Sequence, residues 1–173
     1  MIEENVMIEE IHDNVIKELN DRNLIYFQFE EDFVEENIRC IPMIVRFKLD
    51  ACGIKLQLRE WSKFSINERN TLCEQECNDK FELQLYRNYL KQLVYVKTGN
   101  EATDLLIDAD PEWANINKIP FAIAQELKKY NWKISLTQWK SLSNLKRFVL
   151  MKLSKPGHEN KNFPIAVKEF RLV

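Results

Sequence analysis

The chain has 173 residues, 45% of them apolar and 30% charged, with a net charge of −2 at pH 7. That is enough chain for one domain with a true core, and Lys and Arg are scattered among Asp and Glu without the basic face of a nucleic-acid binder. With 3 glycines and 5 prolines, turn-makers are too few for a β-sandwich or barrel, and no apolar run nears the ~20 residues that span a bilayer.

The acidic start, MIEENVMIEEIHDN, lacks the apolar stretch of a signal peptide. Cys40, Cys52, Cys73 and Cys77 therefore read as reduced thiols in a cytoplasmic protein. Residues 1–24 read as an N-terminal helical extension: Ile8, Ile11, Val15 and Leu19 recur at steps of three and four and predict an amphipathic helix over 4–20. The aromatic stretch 24–33 permits a short strand or an extended segment lying on the helices, and 30–37 permits acidic helical turns. Pro42 at the start and Gly53 at the end bracket a helix over 42–52. A short turn with Leu58 and Trp61 follows. Ser65 with Glu68, then Asp79 with Glu82, have the spacing of capping boxes and predict helices over 66–77 and 80–97. In the latter, Phe81, Leu85, Tyr89, Leu93 and Val96 trace one apolar stripe. Asp110-Pro111-Glu112 opens a short helix to about 116. Further helices are expected over 120–130, 136–142 and 144–154, then a break at Pro156-Gly157 and a terminal helix from Pro164.

The segment 41–72 recurs at 119–150 without a gap. Ile41-Pro42 matches Ile119-Pro120, and Leu49 matches Leu127. Lys55, Leu58 and Trp61 match Lys133, Leu136 and Trp139, while Ser65, Arg69 and Leu72 match Ser143, Arg147 and Leu150. The Gly53 position becomes Asn131, the next-best residue for a left-handed helix end. The fold expected is all-α: one compact domain over 25–173 built from two similar helix-turn-helix units, about 41–72 and 119–150, plus the N-terminal helix. Lys48 and Glu126 occupy equivalent positions with opposite charge, which suggests that they pair across the two units.

Chemistry is sparse. Four cysteines raise the question of zinc, but Cys73 and Cys77, expected at i and i+4 on one helix, lack the knuckle spacing of a structural zinc site, so no metal or cofactor is expected. Glu9 with His12 is half of a di-iron signature, and His158 does not supply the other half. No nucleophile elbow, phosphate loop or dinucleotide fingerprint occurs. Two histidines leave little for acid–base catalysis near neutral pH, so the chain is not expected to be an enzyme.

One stretch resembles a known family. Phe27, Phe29, Glu30, Asp32 and Phe33, then Arg39-Cys40-Ile41-Pro42-Met43, then Arg46, Lys48, Leu49 and Asp50, then Gly53-Ile54-Lys55-Leu56 and Trp61 are similar to the pattern of the conserved nitrate reductase-associated proteins. The likeness extends from 25 to about 155. It implies a cytoplasmic accessory protein in nitrate assimilation. Its partner would be nitrate reductase or the molybdenum-cofactor machinery, with a role in maturing or stabilising the molybdenum enzyme. It carries no established catalytic residues. Because Arg46 becomes Ala124 and Asp50 becomes Lys128 in the second unit, two readings are open: a contact surface of Arg39, Arg46, Asp50 and Lys55 beside the acidic residues Glu30 and Asp32, or an internal Arg46–Asp50 pair at i and i+4. The alternative is a small-molecule binder for a pterin or another anion, with Arg39, Arg46 and Lys55 lining a concave pocket.

Overall fold

In a computed structural model, residues 26–30, 38–77 and 79–173 are described. The helix predicted over 4–20 and the acidic stretch after Glu30 lie outside the described residues. The chain divides between Ala109 and Asp110 into two compact units, and the described part of each is mostly helical.

In the first unit, Phe27 and Phe29 stack on each other and are buried around a 3-10 turn, Gln28–Glu30, rather than a strand. The central helix α1 spans Met43–Cys52. Pro42 precedes it in extended backbone, and Gly53 closes it at φ 67° with its N–H donating to the Leu49 carbonyl. Glycine is required at this end for a second reason: a Cβ there would sit 2.9 Å from the Leu105 carbonyl oxygen. That close approach belongs to a two-stranded antiparallel sheet the sequence did not announce, β1 (Ile54–Lys55) with β2 (Thr103–Asp104). The Leu105 N–H donates to the Gly53 carbonyl and extends this pairing. Helix α2 (Leu58–Trp61) has a reciprocal cap between Gln57 and Glu60, and α3 (Ile66–Glu74) has the predicted one between Ser65 and Glu68. Helix α4 (Lys80–Thr98) starts at the Asp79 cap and ends at Gly99. α1 packs on α3 and α4, and α2 packs on α4.

Two sequence expectations fail in this unit. Helix α3 stops at Glu74 instead of reaching Cys77, because the Lys48 ammonium occupies its last carbonyls. Its Nζ donates to Cys73 O and Gln75 O at 2.8 Å each and to Leu72 O at 3.4 Å. Cys77 therefore lies in the connection after the helix and not one turn along it from Cys73. The apolar stripe of α4 is also different. Leu83, Tyr86, Leu90, Leu93 and Val94 face the core, whereas Phe81, Leu85 and Val96 are 71%, 45% and 69% exposed. The outer face also carries exposed Gln84, Asn88 and Gln92, so the regular apolar spacing is that of Leu83, Tyr86, Leu90, Leu93 and Val94.

The second unit repeats the plan. Helix α5 (Phe121–Lys129) follows Pro120, and Asn131 takes the left-handed conformation at φ 57° where the first unit has Gly53. Helix α6 (Leu136–Ser141) has a reciprocal cap between Ser135 and Gln138, and α7 (Asn144–Leu153) is capped by Ser143. Ahead of them Glu112–Ala114 is a single 3-10 turn and not a helix to 116; Pro111 sits at its N-cap and no side chain caps it. After the break at 154–157 a 3-10 turn leads into α8 (Phe163–Glu169), with Pro164 in its first turn. α7 is the hub: the 112–114 turn, α5 and α8 pack against it.

The duplication extends to side-chain function. Trp61 and Trp139 are both fully buried. The indole N–H of Trp61 donates to the Ile38 carbonyl at 2.8 Å, and that of Trp139 to the Asn115 carbonyl at 2.9 Å. Arg69 and Arg147 lie over the respective rings at 5.7 and 5.9 Å. Within its own unit each of Lys48 and Glu126 has a partner. Lys48 spends its ammonium on the end of α3, and the Glu126 carboxylate is held by Lys129 at 2.5 Å.

Candidate functional site

Helix α1 is buried along its length except at Arg46 and Asp50, which are half-buried. These two are i and i+4, so the central helix of the first unit reaches solvent along a single stripe of opposite charges. The equivalent helix in the second unit is a surface helix, exposed at Phe121, Ala124, Gln125, Lys128 and Lys129. The charges that the sequence singles out as peculiar to the first unit are thus the only solvent-reaching part of α1. Arg39 is exposed just ahead of the helix, and Lys55 is exposed just after it on β1. The Arg46 Nε also donates to the Ile41 carbonyl at 2.9 Å, which fixes the side chain across the helix start.

Glu30 behaves differently from its expected neighbours. It is buried at 6% exposure. One carboxylate oxygen accepts from the Met43 N–H at 2.7 Å and the other from the Phe27 N–H at 3.1 Å. Pro42 has no side chain to cap α1, so Glu30 satisfies an orphan donor at the positive end of that helix from a distant segment. It is part of the frame, and Asp32 lies outside the described residues.

Lys48 and the thiols form the buried polar region behind α1. Lys48 is 3% exposed, and its ammonium lies 5.6 Å from the centre of the Tyr86 ring. Burial holds its pKa below the ordinary lysine value, against the opposing influence of Cys77 and Cys73. Burial likewise pushes the thiols of Cys73 and Cys77 up to about 11 and that of Cys52 up to about 12. All three are protonated at neutral pH, and it is the thiolate that acts as nucleophile or metal ligand. Among the described residues no group of three or more His, Cys, Asp or Glu is gathered to hold a metal ion.

The thiols make stability sensitive to alkali. A thiol whose folded pKa lies above its unfolded value of 9.0 binds more protons in the folded state, so stability falls as pH rises from 9 toward 11. Lys48 acts in the opposite sense below its unfolded value of 10.5, because there the unfolded chain binds the extra proton. Three thiols outweigh one lysine. Each thiol contributes about 1.4 kcal/mol per pH unit in its window. The free energy of unfolding, measured by urea titration at pH 8, 9 and 10, is expected to decline above pH 9, and Cys77→Ala to flatten the decline by one thiol's share. A profile level from pH 8 to 10 would contradict this arrangement.

A groove of about 560 Å³ opens in the first unit between Ala51–Gly53 at the end of α1, Lys80, Leu83, Gln84 and Arg87 on α4, and Leu105–Ile107 after β2. Arg87 spans its floor, donating to the Gly53 carbonyl at 2.8 Å, to the Cys52 carbonyl, and to Asp104 at 2.6 Å. Lys91 reaches the same Asp104 oxygen at 3.1 Å. These two cations keep the Asp104 carboxyl below its usual range. Neither Arg39, Arg46 nor Lys55 lines the groove, so the three cations that the anion-binding alternative requires do not converge there.

The arrangement defines a helical protein with a duplicated tryptophan–arginine hairpin, in which the central helix of the first copy reaches solvent only at the opposite charges Arg46 and Asp50. The sequence profile of the conserved nitrate reductase-associated proteins matches residues 26–170. The chain belongs to that family. No curated protein and no solved structure matches it. Among the described residues no helix is long and apolar enough to cross a membrane.

Proposed function

We propose that the protein is a non-catalytic accessory partner of nitrate reductase, acting in the cytoplasm during nitrate assimilation and assisting the maturation or stability of the molybdenum enzyme. Membership of the nitrate reductase-associated family carries this reading. The contact residues proposed are Arg39, Arg46, Asp50 and Lys55, each of which reaches solvent in the first unit. An arginine fixed by its own backbone contact, as Arg46 is by Ile41, loses little freedom on binding and is a favoured interface anchor. Protonated buried thiols favour a binding role over a catalytic one.

Affinity purification from nitrate-grown cells tests the proposal, using the wild-type chain and an Arg46→Ala/Lys55→Glu variant whose helical circular dichroism is intact. The wild type is expected to recover nitrate reductase or the proteins that build its molybdenum cofactor, and the variant at least tenfold less. Equal recovery removes this surface, and recovery of neither by the wild type removes the reading.

A further inference from the structure

The near-neutral net charge hides an asymmetry. Residues 110–173 carry twelve Lys and Arg against five Asp and Glu, whereas residues 1–109 carry thirteen against twenty-two. The two copies differ accordingly: where the first has Asp50, Glu68 and Glu74, the second has Lys128, Lys146 and Lys152. Some of this charge gathers at the turn after α5. Lys128, Lys129 and Lys133 are exposed there, and α8 adds exposed Lys168, whose ammonium lies 5.7 Å from the centre of the Trp132 ring. Tyr130 stacks on Trp132 with ring centres 5.0 Å apart, and both residues are half-buried. Lys129 is held by Glu126. Lys128, Lys133 and Lys168 have no carboxylate partner among the described residues.

The duplication shows what this turn lacks. In the first unit the segment after the left-handed Gly53 is β1, and it pairs with β2: Ile54 faces Asp104, Lys55 faces Thr103, and the Leu105 N–H donates to the Gly53 carbonyl. In the second unit Asn131 takes the same left-handed conformation, so Trp132 and Lys133 leave their helix as Ile54 and Lys55 do. Among the described residues no strand pairs with them, since the sheet consists of β1 and β2 alone. An exposed segment without a ladder partner is a template for an incoming strand. Charge selects the strand. Lysines along an edge disfavour a second copy of that edge and favour an acidic segment. The first unit's own β2 is of this kind: it lies in the acidic and apolar stretch EATDLLIDAD, and its Asp104 bonds with Arg87 and Lys91.

We propose that residues 131–134 receive an extended acidic strand of a partner protein, paired through the backbone as β2 pairs with β1. Lys128, Lys133 and Lys168 meet the carboxylates of that strand, and Tyr130 and Trp132 meet its apolar side chains. The proposal does not draw on the Arg46–Asp50 stripe and stands or falls without it.

Titration of the isotope-labelled full chain with the synthetic peptide EATDLLIDAD, followed by amide chemical shifts, tests the proposal. The expected result is saturable binding at sub-millimolar peptide, with the largest shifts at residues 131–135. Lys133→Glu/Lys168→Glu should weaken binding by about tenfold or more; both positions are exposed, so the fold should survive. Methylating the peptide nitrogen that corresponds to Leu105 removes a strand donor and should weaken binding as much, with the protein unaltered. Lys63→Glu, an exposed lysine of the first unit, should change it by less than about twofold. Binding that does not saturate, largest shifts at Ile54–Lys55, or indifference to either the double substitution or the methyl group overturns the proposal. So does tighter binding of an oligothymidylate of equal length, which would assign the lysines to nucleic acid. Slow exchange of the 133–134 amides in the free protein also overturns it, because the edge would then be filled by the chain itself.

Discussion

Replacing Trp61 with alanine is expected to cost about 3–5 kcal/mol of stability, the range for truncating a fully buried large aromatic. Three losses combine. The indole is inaccessible to solvent, so its removal leaves a void in the first unit's core. Its edge-on contact with Phe64, with ring centres 6.0 Å apart, disappears. Its N–H no longer meets the Ile38 carbonyl. The third loss matters beyond one hydrogen bond. Ile38 is a β-branched residue held at φ 52°, a conformation that costs of order 1–3 kcal/mol and persists only when its surroundings over-determine it. The indole N–H is one of the two donors that hold that carbonyl, the other being Arg69. Urea unfolding followed by circular dichroism measures the cost, and Trp61→Phe divides it: most of the void is refilled, so what remains reports on Ile38. A loss under about 1 kcal/mol for the alanine variant would place Trp61 outside the core, contrary to its burial.

Much of this fold was legible because its punctuation is local chemistry. Pro42 and Pro120, Gly53 and Asn131, Ser65 and Ser143 act on the backbone within a few residues of themselves, so their spacing could be read without knowing what packs where. The misread features are those decided at long range. Helix α3 ends early because a lysine on another helix takes its carbonyls. On α4 the stripe through Phe81, Leu85 and Val96 includes aromatic and aliphatic residues that stay at the surface beside Gln84, Asn88 and Gln92, while Leu83, Tyr86, Leu90, Leu93 and Val94 meet α1 and α2. Glu30 reads as surface charge in the sequence because its partner, the Met43 N–H, is 13 residues away. Among the candidate site residues, the contrast between Arg46–Asp50 and Ala124–Lys128 could be read from aligned letters, and α1 reaches solvent at those two positions. Arg69 and Arg147 were visible only as identities in the alignment. A cation eight positions after each buried tryptophan, repeated in both halves, was the signal for their role.

That role carries the second large expectation. Arg69→Lys should cost about 2–4 kcal/mol although charge and length are nearly kept. Among the described residues the guanidinium donates to three backbone carbonyls: Ser62 at 3.0 Å, Trp61 at 3.2 Å and Ile38 at 3.3 Å. Its planar fork reaches several directions at once, whereas an ammonium on a flexible stem is a single point. Ser62 is exposed, and its carbonyl can turn to water. Trp61 and Ile38 are buried, and a buried acceptor deprived of its donor costs about 1–3 kcal/mol. Arg147→Lys is expected to act alike in the second unit, where the guanidinium donates to Leu142 O at 2.5 Å and Trp113 O at 2.9 Å. Arg59→Lys, on the exposed side of α2, is the control and should stay within about 0.5 kcal/mol of wild type. The decisive measurement is the cycle joining Trp61→Phe with Arg69→Lys. Both side chains hold the same Ile38 carbonyl, so their losses should fail to add by roughly 1 kcal/mol or more. Additivity within about 0.3–0.5 kcal/mol, as for distant sites, would mean that ring and guanidinium stabilise the hairpin separately and that the strained Ile38 backbone is secured by something else.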